Sequence, residues 1–99
     1  MNIQAMMKQA QKMQQELLKN KKEIEEKVFL GEHGEIRVKV NGKREVKSVE
    51  INSTFELIPE NREVLEDMIL LAVNDALMKI DKEFKIKLGN LDPSISDFM

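Results

Sequence analysis

The usual catalytic and metal-binding side chains are nearly missing from this sequence. The chain has no Cys and a single His, His33, which lies beside Glu32 in the segment Gly31–Gly34. Without Cys, disulfides, zinc–thiolate sites and thiol catalysis are excluded. Ser48 and Ser53 have no base at a spacing typical of nucleophilic catalysis, and no glycine-rich loop opens a helix. We therefore expect no enzyme activity, no cofactor and no metal site.

Five lysines in the first 22 residues are the strongest candidates for binding chemistry. They are accompanied there by a single acid, Glu16, although the whole chain carries a formal net charge of −2. Residues 1–50 hold eleven Lys or Arg and eight acids, whereas residues 51–99 hold five and ten. Clustered positive charge favours a polyanionic partner, because lysines neutralise phosphate groups. The five residues are Lys8, Lys12, Lys19, Lys21 and Lys22.

Two interpretations of these lysines are open. Most basic helix faces are simply solvated, in which case the lysines only keep the protein soluble. A nucleic-acid interface would instead place them on phosphates, with Gln9 and Gln11 among the neighbours able to hydrogen-bond phosphates or base edges. The chain has no Trp and no Tyr, and sequence-tolerant single-strand binders need aromatic stacking platforms. The composition therefore favours a duplex over a single strand.

A long helix over about residues 2–27 is predicted to position these lysines. This stretch lacks Gly and Pro and is rich in good helix formers. Its apolar residues follow heptad spacing and form a seam, which leaves Lys21 on the flank and the other four lysines on the outer face. Because Ala, Met and one Asn occupy positions where Leu is expected, another element must pack on this seam. The seam consists of Ile3, Met6, Ala10, Met13, Leu17, Asn20 and Ile24.

Three short strands are predicted after this helix. Residues 28–30 form an apolar run that ends at the turn Gly31–Gly34, and residues 36–40 alternate between apolar and charged side chains, as in a half-buried strand. Asn41-Gly42 is the strongest short-range signal for a hairpin. On the returning strand, residues 47, 49 and 51 share one face and Val46 lies on the other. Either a bulge intervenes or both faces are partly covered.

A second long helix is predicted to follow Pro59 and to end before Gly89. Its apolar residues recur every three or four positions, over an arc too wide for contact with one three-stranded sheet. At ~1.5 Å per residue, both helices overhang strands of about six residues. The sequence predicts an α+β fold in the order α-β-β-β-α, one domain over residues 1–88, an irregular tail over residues 89–99, and a two-fold homodimer that covers the apolar arc.

Three segments of the chain match the pattern of a known family. They are Met6-Met7-Lys8-Gln9-Ala10-Gln11-Lys12-Met13-Gln14, then Val38-Lys39-Val40-Asn41-Gly42-Lys43 running to Val49-Glu50-Ile51, and Leu65-Glu66-Asp67-Met68 leading into Ala72-Val73-Asn74-Asp75-Ala76-Leu77. With these segments the chain resembles the YbaB/EbfC family of bacterial nucleoid-associated proteins over roughly residues 5–85. The resemblance implies a tweezer-shaped homodimer with projecting helices that binds double-stranded DNA, bends or compacts it, and modulates transcription.

The resemblance also implies that the helical arms contact DNA, which adds lysines of the second helix to the candidates. These are Lys79, Lys82, Lys85 and Lys87. We therefore expect this chain to be a cytoplasmic protein of the nucleoid. Its expected partners are double-stranded DNA and a second copy of itself, and we expect neither a membrane nor a small-molecule substrate among them. No stretch approaches the ~20 apolar residues of a membrane span. The alternative is a dimeric protein-interaction module whose lysines have no direct role with DNA.

Overall fold

The computed structural model describes residues 2–89 and confirms the predicted α-β-β-β-α order. Helix α1 covers Ile3–Glu26, strands β1, β2 and β3 cover Val28–His33, Ile36–Asn41 and Val46–Ile51, and helix α2 covers Arg62–Leu88 after a short 3₁₀ turn at Pro59–Asn61. The tail predicted over residues 89–99 lies, apart from its first residue, outside the described residues. Neither helix within residues 2–89 is long and apolar enough to cross a membrane.

Helix α1 packs on the rest of the chain only at its C-terminal end. The helix begins at Asn2, whose side-chain Oδ1 accepts a hydrogen bond from the Ala5 N–H at 3.3 Å. Ile24 is buried, Leu17 and Asn20 are half-buried, and every residue from 3 to 16 is exposed. Within residues 2–89, the expected cover of the seam therefore reaches only its last three positions.

The sheet is an antiparallel meander in the order β1-β2-β3, as predicted. Strand β1 is longer than expected, because it runs through Gly31 to His33 and pairs there with Ile36. The reversal needs only Gly34, with φ +56°, and Glu35. Gly31 instead lies under α2, where a Cβ would stand 2.0 Å from the Ala72 carbonyl oxygen. The prediction that Gly31 belongs to the turn was wrong, and close helix–sheet packing is the reason for this glycine.

A β-bulge settles which face Val46 occupies. Lys39 is paired with Ser48, but the next residue, Val40, is paired with Val46, so Lys47 is the extra residue on β3. Because directly paired residues share a face, Val46 lies on the same side of the sheet as Val49 and Ile51. The bulge was one of the two open alternatives, and the structure selects it.

The core forms where α2 crosses one face of the sheet. From α2, a row spaced every four residues is buried, and from β2 three alternating residues have no exposed surface. Phe29 of β1 and Ile24 of α1 complete the cluster. The row comprises Ala72, Ala76, Ile80 and Phe84, and the β2 residues are Ile36, Val38 and Val40. Two alanines in the row allow the close approach of α2 to Gly31.

Strand β3 is left uncovered on the face that α2 protects elsewhere. Helix α2 packs on β1 and β2, whereas Val46, Val49 and Ile51 of β3 are 50%, 46% and 38% exposed. The flank of α2 nearest β3 is marked by Asp81, which pairs with Arg44 of the β2–β3 hairpin. Two leucines lie on this flank: Leu70 is 59% exposed and Leu77 is half-buried. A single chain thus keeps an apolar face along β3 and this flank of α2.

Candidate nucleic-acid interface

The five candidate lysines of the first helix all lie along α1, and two of them, Lys8 and Lys12, lie on the part that projects beyond the core. All five are exposed, and none forms an ion pair with another described residue. By helical geometry, four of them lie opposite the seam, and Lys8 and Lys22 are separated by about 21 Å along the axis. Lys21 lies on the flank of the seam. The arrangement is a row of unpaired ammonium groups along one side of a helix; the four residues are Lys8, Lys12, Lys19 and Lys22.

The lysines of α1 end at residue 22, before the acidic turns that adjoin the sheet. Between residues 3 and 22 the only acid is Glu16, whereas Glu23, Glu25 and Glu26 follow in the last turns, beside the sheet. Anionic ligands are therefore attracted to α1 between Lys8 and Lys22 and repelled near its C-terminus.

The four α2 lysines are not brought together. The Lys79 ammonium group is bound within the chain, because its Nζ donates to the Leu30 carbonyl oxygen at 2.7 Å and pairs with Asp75 at 3.2 Å. Lys87 lines a small pocket with Asn20 and Glu23 of α1. Lys82 and Lys85 are exposed on other sides of α2. The DNA contacts predicted for these four residues stay predictions.

The outer edge of β1 is closed by two side chains of α2 that sequence reasoning did not assign to this role. Asp75 Oδ2 accepts a hydrogen bond from the Glu32 N–H at 3.0 Å, while Lys79 donates to Leu30. The Glu32 N–H, and then Lys79, hold the pKa of Asp75 below its ordinary value. The available signal was an acid and a lysine four residues apart within an apolar helix. Side chains that occupy edge groups protect an edge strand from pairing with another chain.

Basic residues of the sheet differ from those of α1 because several are paired. Arg37 pairs with Glu32 at 3.3 Å, Lys47 with Glu45 at 3.8 Å, and Arg44 with Asp81. His33 is exposed at the end of β1, and residues 2–89 contain no group of three His, Asp or Glu placed to hold a metal ion. Among the described residues, α1 thus carries five unpaired lysines, whereas the other unpaired lysines are divided between the sheet with its hairpin and α2; these are Lys39, Lys43, Lys82, Lys85 and Lys87.

Comparison with known proteins places these features in context. The family model described as the YbaB/EbfC DNA-binding family matches residues 1–94. The chain is similar to a nucleoid-associated protein of Mycoplasmopsis pulmonis, with 45% identity over 85 residues that cover 86% of this chain and 84% of that protein. It is also similar to nucleoid-associated proteins of Lactococcus lactis subsp. cremoris, with 43% identity over 90% and 91% of the two chains, and of Enterococcus faecalis, with 38% identity over 98% and 94%.

Proposed function

This chain belongs to the YbaB/EbfC DNA-binding family, and we propose that it is a nucleoid-associated protein that binds double-stranded DNA through the lysines of α1. The family is not an enzyme class. The observation that carries the proposal is the row of exposed, unpaired lysines along the outer side of α1. The nucleoid-associated relatives support a cytoplasmic location on the nucleoid.

The lysines bind DNA mainly through its phosphates. Each contact neutralises a phosphate and releases condensed counterions, which favours binding without reading the base sequence. The ~21 Å between Lys8 and Lys22 matches about six base pairs of duplex, at 3.4 Å per pair. A straight, rigid row of charges suits a stiff duplex, on which it lies across a groove and meets phosphates of both strands. The absence of Trp and Tyr from the chain argues against stacking on a single strand.

A homodimer presents two such rows to the DNA. The apolar face along β3 and the adjacent flank of α2 is the surface on which a second copy packs, and two-fold symmetry is the commonest way to close such a contact. Two projecting α1 helices then engage separate stretches of backbone. DNA held at two places by one rigid body is bent or compacted, and this change in DNA shape modulates transcription.

Neutralising three lysines of α1 tests the role of the α1 row. In a triple variant with Lys8→Gln, Lys12→Gln and Lys19→Gln, we expect weaker binding to duplex DNA and a flatter salt dependence. The slope of log affinity against log salt falls by about 0.9 for each phosphate that the variant no longer neutralises. Fluorescence anisotropy with a labelled duplex, recorded from low to physiological salt, measures both quantities.

The matched control carries the same charge change on the sheet and its hairpin, as Lys39→Gln, Lys43→Gln and Lys47→Gln. If both triple variants lose affinity equally, diffuse charge and not the α1 row governs binding. An affinity for duplex DNA that does not change with salt also contradicts the mechanism. A folded protein that has no affinity for duplex DNA at low salt is instead a protein-interaction module, which the uncovered apolar faces of the chain would serve.

A further inference from the structure

The projecting part of α1 carries an apolar stripe that no described residue covers. It consists of Ile3, Met6, Ala10 and Met13, and Ile3, Met6 and Met13 are 68%, 57% and 59% exposed. Apolar residues spaced every three or four positions on a helix ordinarily face a partner. The lysine row lies on the opposite side of the same helix. A ligand of this stripe therefore lies within reach of the DNA-binding surface.

Helix α2 ends beside the part of α1 that directly follows this stripe. Lys27 of α1 pairs with Glu83 at 3.6 Å, and Lys87, one turn further along α2, lines a pocket with Asn20 and Glu23. The two helices therefore run antiparallel over this stretch. Helix α2 ends at Leu88, which is half-buried. The described part of α2 therefore ends near the α1 turn at which the seam becomes uncovered.

Residues 90–99 have the length to cover the stripe. Met6 lies eleven residues before Leu17, or about 17 Å along α1. Ten residues span about 15 Å as a helix and about 33 Å when extended. The segment therefore reaches at least as far as Ala10.

The side chains of residues 90–99 complement those of α1. Leu91, Ile95 and Phe98 are separated by four and three positions, which are the intervals used within the stripe. The segment contains Asp92 and Asp97 and no Lys or Arg. It thus combines apolar groups for the stripe with negative charge for the lysine-rich helix.

We propose that residues 90–99 dock on the α1 stripe of the same subunit and thereby weaken the attraction of the α1 lysines for DNA; the effect on DNA rests on the proposed function. Docking buries Leu91, Ile95 and Phe98 on the stripe and holds the two aspartates against the helix that carries the lysines. The lysine row lies across this helix, within about a Debye length of ~10 Å, so the two carboxylates reduce its positive potential and lower its affinity for DNA. A second copy's α1 is the other occupant to consider, but it would bring five lysines against five, which opposes its approach.

Engineered disulfides test the docking directly, because the chain has no Cys of its own. With Met13→Cys and Ile95→Cys in the full chain, mild oxidation with oxidised glutathione is expected to form a disulfide within one chain, seen by mass spectrometry and non-reducing electrophoresis. The control pair is Gln15→Cys with Ile95→Cys, since Gln15 lies only about 3 Å from Met13 along the axis but on the opposite side of α1. Equal yields from the two pairs overturn the docking, and so does a dominant disulfide between two copies of Met13→Cys.

Two full-length variants test the effect on DNA binding. Ile95→Ser with Phe98→Ser weakens docking without changing charge, and Asp92→Asn with Asp97→Asn removes the two carboxylates. Each is expected to raise affinity for duplex DNA about fivefold at low salt, and less at physiological salt, because the charges interact across the helix and are screened. Unchanged affinity in both variants at low salt overturns the effect on DNA binding. If neither the natural chain nor the variants bind duplex DNA, the proposed function fails, while the disulfide experiment still decides the docking.

Discussion

Asp75 shows how one side chain on α2 serves the sheet edge and a neighbouring charge together. Its carboxylate accepts the Glu32 N–H and pairs with Lys79, and Lys79 in turn donates to the Leu30 carbonyl oxygen. Two outward-facing backbone groups of β1 are thereby occupied. A strand edge with free groups is a template for unwanted pairing, so this arrangement both stabilises the fold and restricts aggregation.

Replacing Asp75 with Asn is expected to make stability less sensitive to acid. The pKa of Asp75 is lowered in the folded protein, so its stabilising contribution is present above its unfolded pKa, about 3.9, and is lost as pH falls through the folded pKa. Asp75→Asn removes the charge at every pH. We expect it to lower the free energy of unfolding at pH 7 by about 1 kcal/mol or less, because the group is partly exposed, and this difference should shrink below pH 4.

Urea denaturation between pH 7 and pH 3, followed by circular dichroism, measures this change. Asp67→Asn serves as the control, since Asp67 is an exposed acid on the same helix without an ion-pair partner in the described chain. Its acid response should follow that of the natural protein. A difference between Asp75→Asn and the natural protein that stays constant down to pH 3 would show that the Asp75 charge does not stabilise the fold.

Single residues also show where sequence reasoning stops. The exposure of the α1 lysines follows from the seam, because a helix with one apolar side leaves the opposite side in water. Lys79 has the same residue type and was grouped with the DNA-binding candidates. Its partners, Leu30 and Asp75, become visible only once β1 is placed beside α2. The sequence shows that a residue is a lysine, but it does not show whether the ammonium group of that lysine donates to a backbone carbonyl of a distant element.

Among the elements, α1 consists of two parts with different support. Its last turns pack on α2, whereas residues 3–16 have no packing partner within residues 2–89. A helix of this length without tertiary contacts is marginally stable, so the distal part opens and closes independently of the core. Helix α2 is different because its buried row from Ala72 to Phe84 belongs to the core.

Glycine substitutions at exposed positions distinguish these two kinds of helix. We expect Gln11→Gly to speed amide hydrogen exchange in residues 3–16 but to leave the global free energy of unfolding nearly unchanged. The control, Lys82→Gly, lies between the buried residues Ile80 and Phe84 and should lower that free energy by about 1 kcal/mol. Urea denaturation and hydrogen exchange measured by mass spectrometry give both values. Equal losses of stability would mean that the distal part of α1 unfolds together with the core.

The strands illustrate why element order was easier to predict than register. Alternation along β2 and the Asn41-Gly42 signal were sufficient for the hairpin. The face occupied by Val46 depended on one extra residue, and a bulge leaves no unique signature in the composition of a strand. The length of β1 was underestimated because glycine indicates a turn in sequence, whereas Gly31 is required by the close approach of Ala72. Register and packing are set between elements, so a pattern within one element does not determine them.

The molecule as a whole is elongated and its charge is distributed unevenly along its length. Its principal extents are 71, 24 and 16 Å. Helix α1 is basic between Lys8 and Lys22. The 3₁₀ turn and the first turns of α2 are acidic, with Arg62 as their one basic residue; the acids are Glu60, Glu63, Glu66 and Asp67. DNA is therefore attracted to the projecting α1 and repelled from the start of α2, which orients the protein on the duplex before contact.

Breaking the apolar face of β3 tests whether two copies must act together on DNA. Val49 is 46% exposed in the single chain, so Val49→Glu should be tolerated by each subunit but should place a charge in the proposed contact between copies. We expect the variant to sediment as a monomer. Its affinity for duplex DNA should fall by a factor of ten or more, since linked sites gain about 10²–10⁴ in avidity, and its salt slope should be close to half that of the natural protein.

Val28→Glu is the matched control for this prediction, because Val28 is 53% exposed but lies on the opposite face of the sheet. That variant should remain dimeric and keep its DNA affinity. Analytical ultracentrifugation gives the mass of each protein, and anisotropy titrations give the affinity and the salt slope. If the Val49→Glu protein stays dimeric, the contact between the two copies lies on a surface other than β3. A monomer with the full affinity of the natural protein would show that one α1 helix is sufficient, because avidity requires two linked sites while phosphate neutralisation requires only one.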